Sequence, residues 1–276
     1  MRIEVKHKPE QIEIEPKAVH PQFLTLGEGE ARRRIAFLQR PALDKSADLP
    51  GLIWLGGFMS DMGSIKATFL DQWAARQGRS SLRFDYSGHG RSEGRLEDGT
   101  IGRWLAETLA IIRTATTGPQ ILIGSSMGGW LALLCARALA QAGETARLHG
   151  LVLIAPAVDF TQRLIFEQLP PEARQELEHD GVWMRPSAYS ATPYPITKAL
   201  IEEGRQHLLF GDTIRTFCPI HILHGMQDED VPWQHAMTLV EHLAADAVVL
   251  SLIKDGDHRL SREEDLDRLR CAVESM

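Results

Sequence analysis

Gln120-Ile121-Leu122-Ile123-Gly124-Ser125-Ser126-Met127-Gly128-Gly129-Trp130 carries the most specific signal in the chain. A short apolar run reads as a buried strand, and Trp130 to Ala142 reads as a helix ending at Gly143. Between them lies Gly-x-Ser-x-Gly. A serine at such a strand-to-helix turn is held in a strained conformation with its hydroxyl exposed, and residues two positions away must be small so that strand and helix can approach. Ser126 has Gly124 and Gly128 at those positions, whereas Ser125 has Ile123 and Met127. Ser126 is therefore the expected nucleophile. The positive end of the helix would favour an oxyanion forming beside it.

Outward from this turn the same alternation repeats. Leu52–Leu55, Ser81–Phe84, Leu148–Ile154, Pro219–Leu223 and Ala247–Ile253 read as further strands. Ile65–Gln77, Ile101–Thr116 and Trp233–Leu243 read as helices, and Ser261 is the expected cap of a last helix running to Val273. Such alternation predicts an α/β fold with a mostly parallel sheet and helices on both faces. Ahead of it, Ile12, Ile14, Phe23, Leu24, Leu26 and Ile35–Leu38 read as strands, with Arg32-Arg33-Arg34 as the solvated face of an edge strand and Pro41–Pro50 as a loop. Residues 157–212 break the alternation. This stretch is rich in proline, with two helix-like pieces near Glu172–Glu178 and Thr197–His207 and no evident strand, and it is expected to be a helical lid inserted in a single domain spanning 1–276.

A serine hydroxyl needs a neutral imidazole as base and a group that sets the imidazole tautomer. On this scaffold the acid and then the histidine follow the serine. His258 lies just beyond the last strand, where such groups gather, while His221 falls in a strand, His235 and His242 fall on a helix, and His89 precedes the serine. Asp228, five residues past Leu223, is the expected acid, with Asp230 the alternative. Asp255 and Asp257 sit too near His258 in sequence to fold back to its Nδ1 and should shape its loop instead.

Composition narrows the function classes. The chain has 276 residues, 43% hydrophobic and 24% charged, enough to bury a full core. A net charge of −7 argues against nucleic acid as a partner. Cys135, Cys218 and Cys271 are scattered, which argues against a disulfide framework or a thiolate metal site. No apolar run is long enough for a membrane span, and the first residues lack the features of a secretory or transit segment, so a cytoplasmic location is expected. No cofactor and no metal are expected.

With Gly56-Gly57-Phe58-Met59-Ser60-Asp61, Phe84-Asp85-Tyr-Ser-Gly-His-Gly-Arg-Ser92, the Ser126 turn and His224-Gly-Met-Gln-Asp-Glu-Asp-Val-Pro-Trp233, the chain resembles the α/β-hydrolase superfamily from about Leu52 to Glu264. Within it, the chain is similar to a branch of mitochondrial palmitoyl-protein thioesterases and acyl-glucuronide esterases with bacterial relatives. That resemblance takes in Gly181-Val-Trp183 and Pro186–Ser190 of the insertion. It implies Ser126, Asp228 and His258 as a catalytic triad and the backbone N–H groups of Phe58 and Met127 as an oxyanion hole. It also implies a structural role for Asp85. Gly56-Gly57 stands where many esterases have His-Gly. The expected activity is hydrolysis of a carboxylic ester or thioester, carried by a small molecule or an acylated protein. A peptidase or amidase is the alternative, followed by a hydrolase fold that only binds. Phe58, Met127, Trp130, Trp183 and Met184 are candidate acyl-pocket residues, each also explicable as ordinary packing.

Overall fold

The computed structural model describes residues 20–43, 46, 48–186, 192–244 and 247–276. The expected strands at Ile12 and Ile14, the N-terminal residues read for a leader, and Ser187–Ser190 lie outside the described residues. Eight strands form one sheet: β1 (Gln22–Leu26), β2 (Arg33–Arg40), β3 (Gly51–Leu55), β4 (Ser81–Phe84), β5 (Gln120–Ser125), β6 (Leu148–Ile154), β9 (Ile220–Gly225) and β10 (Val248–Ile253). Their spatial order is β1-β2-β4-β3-β5-β6-β9-β10. β1 pairs antiparallel with β2, and β2 with β4; from β4 onward every pairing is parallel. This is the α/β-hydrolase architecture expected from the sequence.

The apolar runs explain why the central strands are buried on both sides. Leu52, Trp54, Ile121, Ile123, Val152 and Ile154 face one layer, containing α1 (Ile65–Gln77) and α7 (Glu263–Glu274). Ile53, Leu55, Leu122, Leu151 and Leu153 alternate to the other, containing α2 (Ile101–Ala115) and α3 (Met127–Gln141). α6 (Trp233–His242) joins that second layer through Ala236 and Leu239.

Three expectations are corrected here. Arg33 does not lie on the solvated face of an edge strand. β2 has neighbours on both sides, and the Arg33 guanidinium pairs with the fully buried carboxylate of Glu107. A buried carboxylate needs such a partner to remain charged. Second, the insertion contains strands. Besides α4 (Pro171–Asp180) and α5 (Lys198–Gly204) it holds a hairpin, β7 (Val182–Arg185) paired antiparallel with β8 (Tyr194–Thr197). Third, Ser261 does not cap α7: its hydroxyl donates to the Arg259 carbonyl, while the Asp265 carboxylate reaches back to accept from the Arg262 N–H.

Candidate active site

The turn at Ser126 has the strain its sequence implies. Ser126 sits at φ 55°, ψ −118°, between the end of β5 and the first residue of α3. A non-glycine residue there persists only because its surroundings over-determine it. They do so through the backbone: the Ser126 N–H donates to the Ile154 carbonyl (2.9 Å), and the Ser126 carbonyl accepts from Gly129 (2.9 Å) and Ala157 (3.1 Å). The flanking glycines are a matter of space. A Cβ on Gly128 would fall 2.1 Å from the Leu55 carbonyl oxygen, and one on Gly124 would fall 2.3 Å from the Gly128 carbonyl oxygen. Ser125 is buried at the end of β5.

Parallel pairing sets β5, β6, β9 and β10 with their C-terminal ends on one side, so the loops after β5, β9 and β10 converge. There His258 Nδ1–H donates to Asp228 Oδ2 at 2.7 Å, and His258 Nε2 lies 3.1 Å from Ser126 Oγ, positioned to accept its proton. The three expected residues, separated by 102 and 30 positions in the chain, thus form one hydrogen-bonded line. The Asp228 side chain is fully buried, and its second oxygen accepts from the N–H groups of Asp230 (2.9 Å) and Val231 (2.8 Å). β9 runs on to Gly225, so Asp228 stands three residues beyond the strand, not five. Asp228, Asp230 and His258 offer donor atoms within 4.8 Å of one another, but both Asp228 oxygens and His258 Nδ1 are already engaged; a cation would have to displace those bonds.

The end of β3 approaches from the other side. A Cβ on Gly57 would lie 3.3 Å from Ser126 Cβ, so the Gly57–Phe58 backbone runs in contact with the serine. Met127, as the first residue of α3, has an N–H with no intrahelical acceptor. A cavity of about 570 Å³ opens over these groups. Phe58, Met59, Ser126, Met127 and His258 line it from the sheet side, and Phe160, Leu164, Ile165, Arg185 and Tyr194 line it from the insertion. Of the candidate acyl-pocket residues, Phe58 and Met127 are in its wall. Trp130 is fully buried and packs edge-on against Phe160, Trp183 packs on the core, and Met184 is exposed.

The remaining sequence candidates have structural work. Asp85 accepts from Met62 N–H (2.6 Å) and Arg91 N–H (2.8 Å), tying the two glycine-rich loops together. Asp255 pairs with Arg262, and Asp257 caps the turn at Leu260. His221 contacts Ser251, and His242 bonds the Thr238 carbonyl within its own helix. Two side chains were not singled out by sequence. Buried His224 donates from Nε2 to the Val231 carbonyl (2.8 Å), bracing the loop that carries Asp228, and its position in the His224-Gly motif was the available signal. Lys66, which also lines the cavity, donates from its ammonium to the Arg259 carbonyl beside His258; burial pushes the Lys66 pKa down to about 8.

His235 gives a test of the packing under the insertion. Its Nε2–H donates to the Val158 carbonyl (2.8 Å), its ring packs on Phe210, and burial pushes the imidazole down to about 4. Between pH ~6.5, where a free imidazole titrates, and about 4, the unfolded chain takes up a proton that the folded chain refuses. Stability therefore falls as pH drops through this window. Urea unfolding of wild type should lose on the order of 1 kcal/mol per pH unit relative to His235→Gln below pH ~6.5. Parallel curves for the two proteins would show that His235 does not titrate with folding.

The sequence profile of the alpha/beta hydrolase family matches residues 25–270. Mitochondrial palmitoyl-protein thioesterase ABHD10 of Bos taurus is 38% identical over 251 residues, covering 88% of this chain and 79% of that protein. A protein of known structure from Agrobacterium vitis S4 superposes with a TM-score of 0.89 at 48% identity, covering 94% of this chain and 99% of its own. Mouse alpha/beta hydrolase domain-containing protein 10 superposes with a TM-score of 0.79 at 33% identity, covering 92% and 97%. The expectation of a cytoplasmic location is overturned by these comparisons, because the ABHD10 relatives from several mammals are named mitochondrial. Scattered thiols and acidic composition fit any reducing compartment, and an address is read by receptors from short segments that leave no mark on a fold. By a profile match across most of its length and by these relatives, the chain belongs to the α/β-hydrolase family.

Proposed function

We propose that this α/β-hydrolase is a serine esterase that cleaves carboxylic esters and thioesters through an acyl-enzyme, with long-chain S-acyl groups as the finer reading. The observation that carries it is the unbroken line Asp228–His258–Ser126, ending under a cavity walled largely by apolar side chains. His258 Nε2 takes the Ser126 Oγ proton as Oγ attacks the acyl carbonyl. The negative oxygen that develops is held by the N–H groups of Phe58 and Met127. The imidazolium, held by Asp228, then passes its proton to the departing alkoxide or thiolate, leaving the acyl group on Ser126. Water, activated by the same imidazole, attacks next; the acid departs and Ser126 recovers its proton.

The chain is read as a single domain, with residues 157–212 as its lid. Phe160, Leu164 and Ile165 bring the insertion's apolar side chains over the nucleophile, and these support an acyl chain as the group bound there. The name of the ABHD10 relatives, palmitoyl-protein thioesterase, points to the same chemistry. The acyl group's carrier is a small molecule or an acylated protein.

The test is a matrix of acyl lengths against alcohol, thiol and aniline leaving groups. Each methylene buried contributes about 0.8 kcal/mol, so kcat/KM should climb over the first several carbons. Leu164→Ser should flatten that climb. A thiolate or alkoxide needs less proton help from His258 than an amine, so esters and thioesters should exceed the matched anilide by at least about a hundredfold. Equal kcat/KM on ester and anilide would replace this reading by a peptidase or amidase.

A further inference from the structure

The motif Ser87-Gly-His89-Gly-Arg-Ser92 was singled out by sequence, yet the proposed reaction uses none of its side chains. His89 is buried, and both of its ring nitrogens are engaged. Nδ1 lies 3.2 Å from the Ser87 carbonyl oxygen, which can only accept, so Nδ1 carries the proton. Nε2 is then a bare lone pair, and it accepts from the Met59 N–H at 3.1 Å. Burial lowers the imidazole's affinity for a second proton, which keeps this acceptor free.

Met59 is where the loop after β3 needs holding. Its φ is 59°, a left-handed conformation that is unfavourable for a non-glycine residue and is kept only under external constraint. Its side chain is half exposed and supplies little of that constraint. The Ser60 N–H closes a turn onto the Gly57 carbonyl (3.1 Å), but that bond spans the Phe58–Met59 peptide without fixing its plane. The bond from the Met59 N–H to His89 Nε2 does constrain that plane.

His89 is itself rigidly mounted. Its ring meets Phe58, Tyr86 and Trp104 edge-on, at centroid distances of 6.1, 5.7 and 5.3 Å. The Ser87 carbonyl also accepts from the Trp104 indole N–H (3.1 Å), and the Ser87 N–H donates to Glu107 (2.9 Å), the buried carboxylate paired with Arg33. A chain of buried polar contacts thus runs from β2 and α2 to the peptide next to Phe58.

We propose that His89 is a positioning residue for the oxyanion hole: by accepting from the Met59 N–H it locks the Phe58–Met59 peptide plane, and through the shared Phe58 Cα this restrains the preceding Gly57–Phe58 peptide, whose N–H is the oxyanion donor. This rests on the reading above, in which Phe58 supplies one of the two oxyanion donors. His89 is not part of the cavity wall, and its ring nitrogens bond Met59 and Ser87 rather than Ser126. It acts on a donor whose value is realised only as charge develops, so its loss falls on kcat and leaves ground-state binding nearly unchanged.

Two substitutions separate this role from general packing. A Gln side chain reaches as far as Nε2 and offers an oxygen to the Met59 N–H. An Asn side chain reaches only as far as Nδ1. With p-nitrophenyl octanoate as probe, His89→Asn should lower kcat about a hundredfold, as expected for a donor displaced by about 1 Å, with KM changed less than about threefold. His89→Gln should retain kcat within about tenfold of wild type. Equal kcat in the two variants, or a loss expressed in KM, would overturn the assignment. Thermal melting of each variant identifies any loss that is simply unfolding. Should both variants unfold, a long-range 1H–15N spectrum of 15N-histidine-labelled wild-type enzyme at pH 7 decides: His89 protonated at Nδ1 alone is expected, and protonation at Nε2 removes the acceptor and the proposal with it. Fluorophosphonate labelling of Ser126 in wild type tests the underlying reading separately. Labelling together with equal variants would overturn the role of His89 alone, whereas absent labelling would remove the reading beneath it.

Discussion

Ser126→Ala is expected to lower kcat by on the order of 10⁴ to 10⁶, the range seen when the nucleophile of a comparable triad is deleted. The fold should survive, because the turn is maintained by main-chain bonds. The Ser126 N–H to the Ile154 carbonyl and the Ser126 carbonyl to Gly129 and Ala157 do not involve the hydroxyl. Alanine tolerates φ 55° no worse than serine does, and only the hydrogen bond to His258 is lost, so stability should change by about 1 kcal/mol or less. Stopped assays on a purified short-chain ester give the rate, and urea unfolding gives the stability. Mass spectrometry after phosphonate treatment should place the adduct on Ser126 in wild type. An adduct on Ser125, or turnover within tenfold of wild type in the alanine variant, would show that the line of hydrogen bonds is not the reacting one.

Asp228→Asn should lower kcat by about 10⁴ with little change in fold, and the structure supplies a reason particular to this site. One carboxylate oxygen accepts from two backbone donors, Asp230 N–H and Val231 N–H, and the other faces His258 Nδ1. In the amide variant the carbonyl oxygen must stay with the two N–H groups, because an NH₂ there would meet two donors. The NH₂ is thereby turned towards His258. It can only donate, so Nδ1 must become the acceptor and the proton moves to Nε2, where it faces Ser126 Oγ and blocks proton transfer. Asp230→Asn lacks this consequence and should stay within about tenfold of wild type. The opposite ranking would transfer the acid's role to Asp230.

Where sequence reasoning succeeded, the signal was local. The apolar runs at Leu52–Leu55 and Ile121–Ile123 are too short for helices and are bounded by glycine, and the structure makes them the central strands β3 and β5. α1 starts and stops where its apolar spacing and Gly78 place it, with Gly78 in the left-handed conformation that ends helices. Where it fell short, the deciding contact was distant. α3 starts at Met127 rather than Trp130, since the Gly128-Gly129 pair reads as turn but is drawn into the helix by the need to pass under Leu55. The β7–β8 hairpin consists of two four-residue strands with prolines at 186, 193 and 195 nearby, marginal by propensity and stable only because Ile196 and Trp183 pack on the core beneath. Arg33 looked like part of a surface charge run because nothing near it in the chain announces Glu107.

The alternation of strand and helix, and the identity of the one serine that a glycine frame can expose, were written in residues within a few positions of one another. Steric limits on φ, ψ and side-chain volume act at that range, so no partner elsewhere had to be known. The order of residues also narrowed the expected acid to Asp228 or Asp230, but pattern could not turn a side chain. That came from the burial of Asp228 beside His224 and the two backbone donors that fix one of its oxygens, so that the other meets His258. The bond from Met59 to His89, the ion pair of Arg33 with Glu107 and the cavity wall built from the insertion are likewise contacts between segments far apart in sequence. Directional hydrogen bonds and close packing between distant segments depend on where the whole sheet places its loops, and that is set only when the chain is folded.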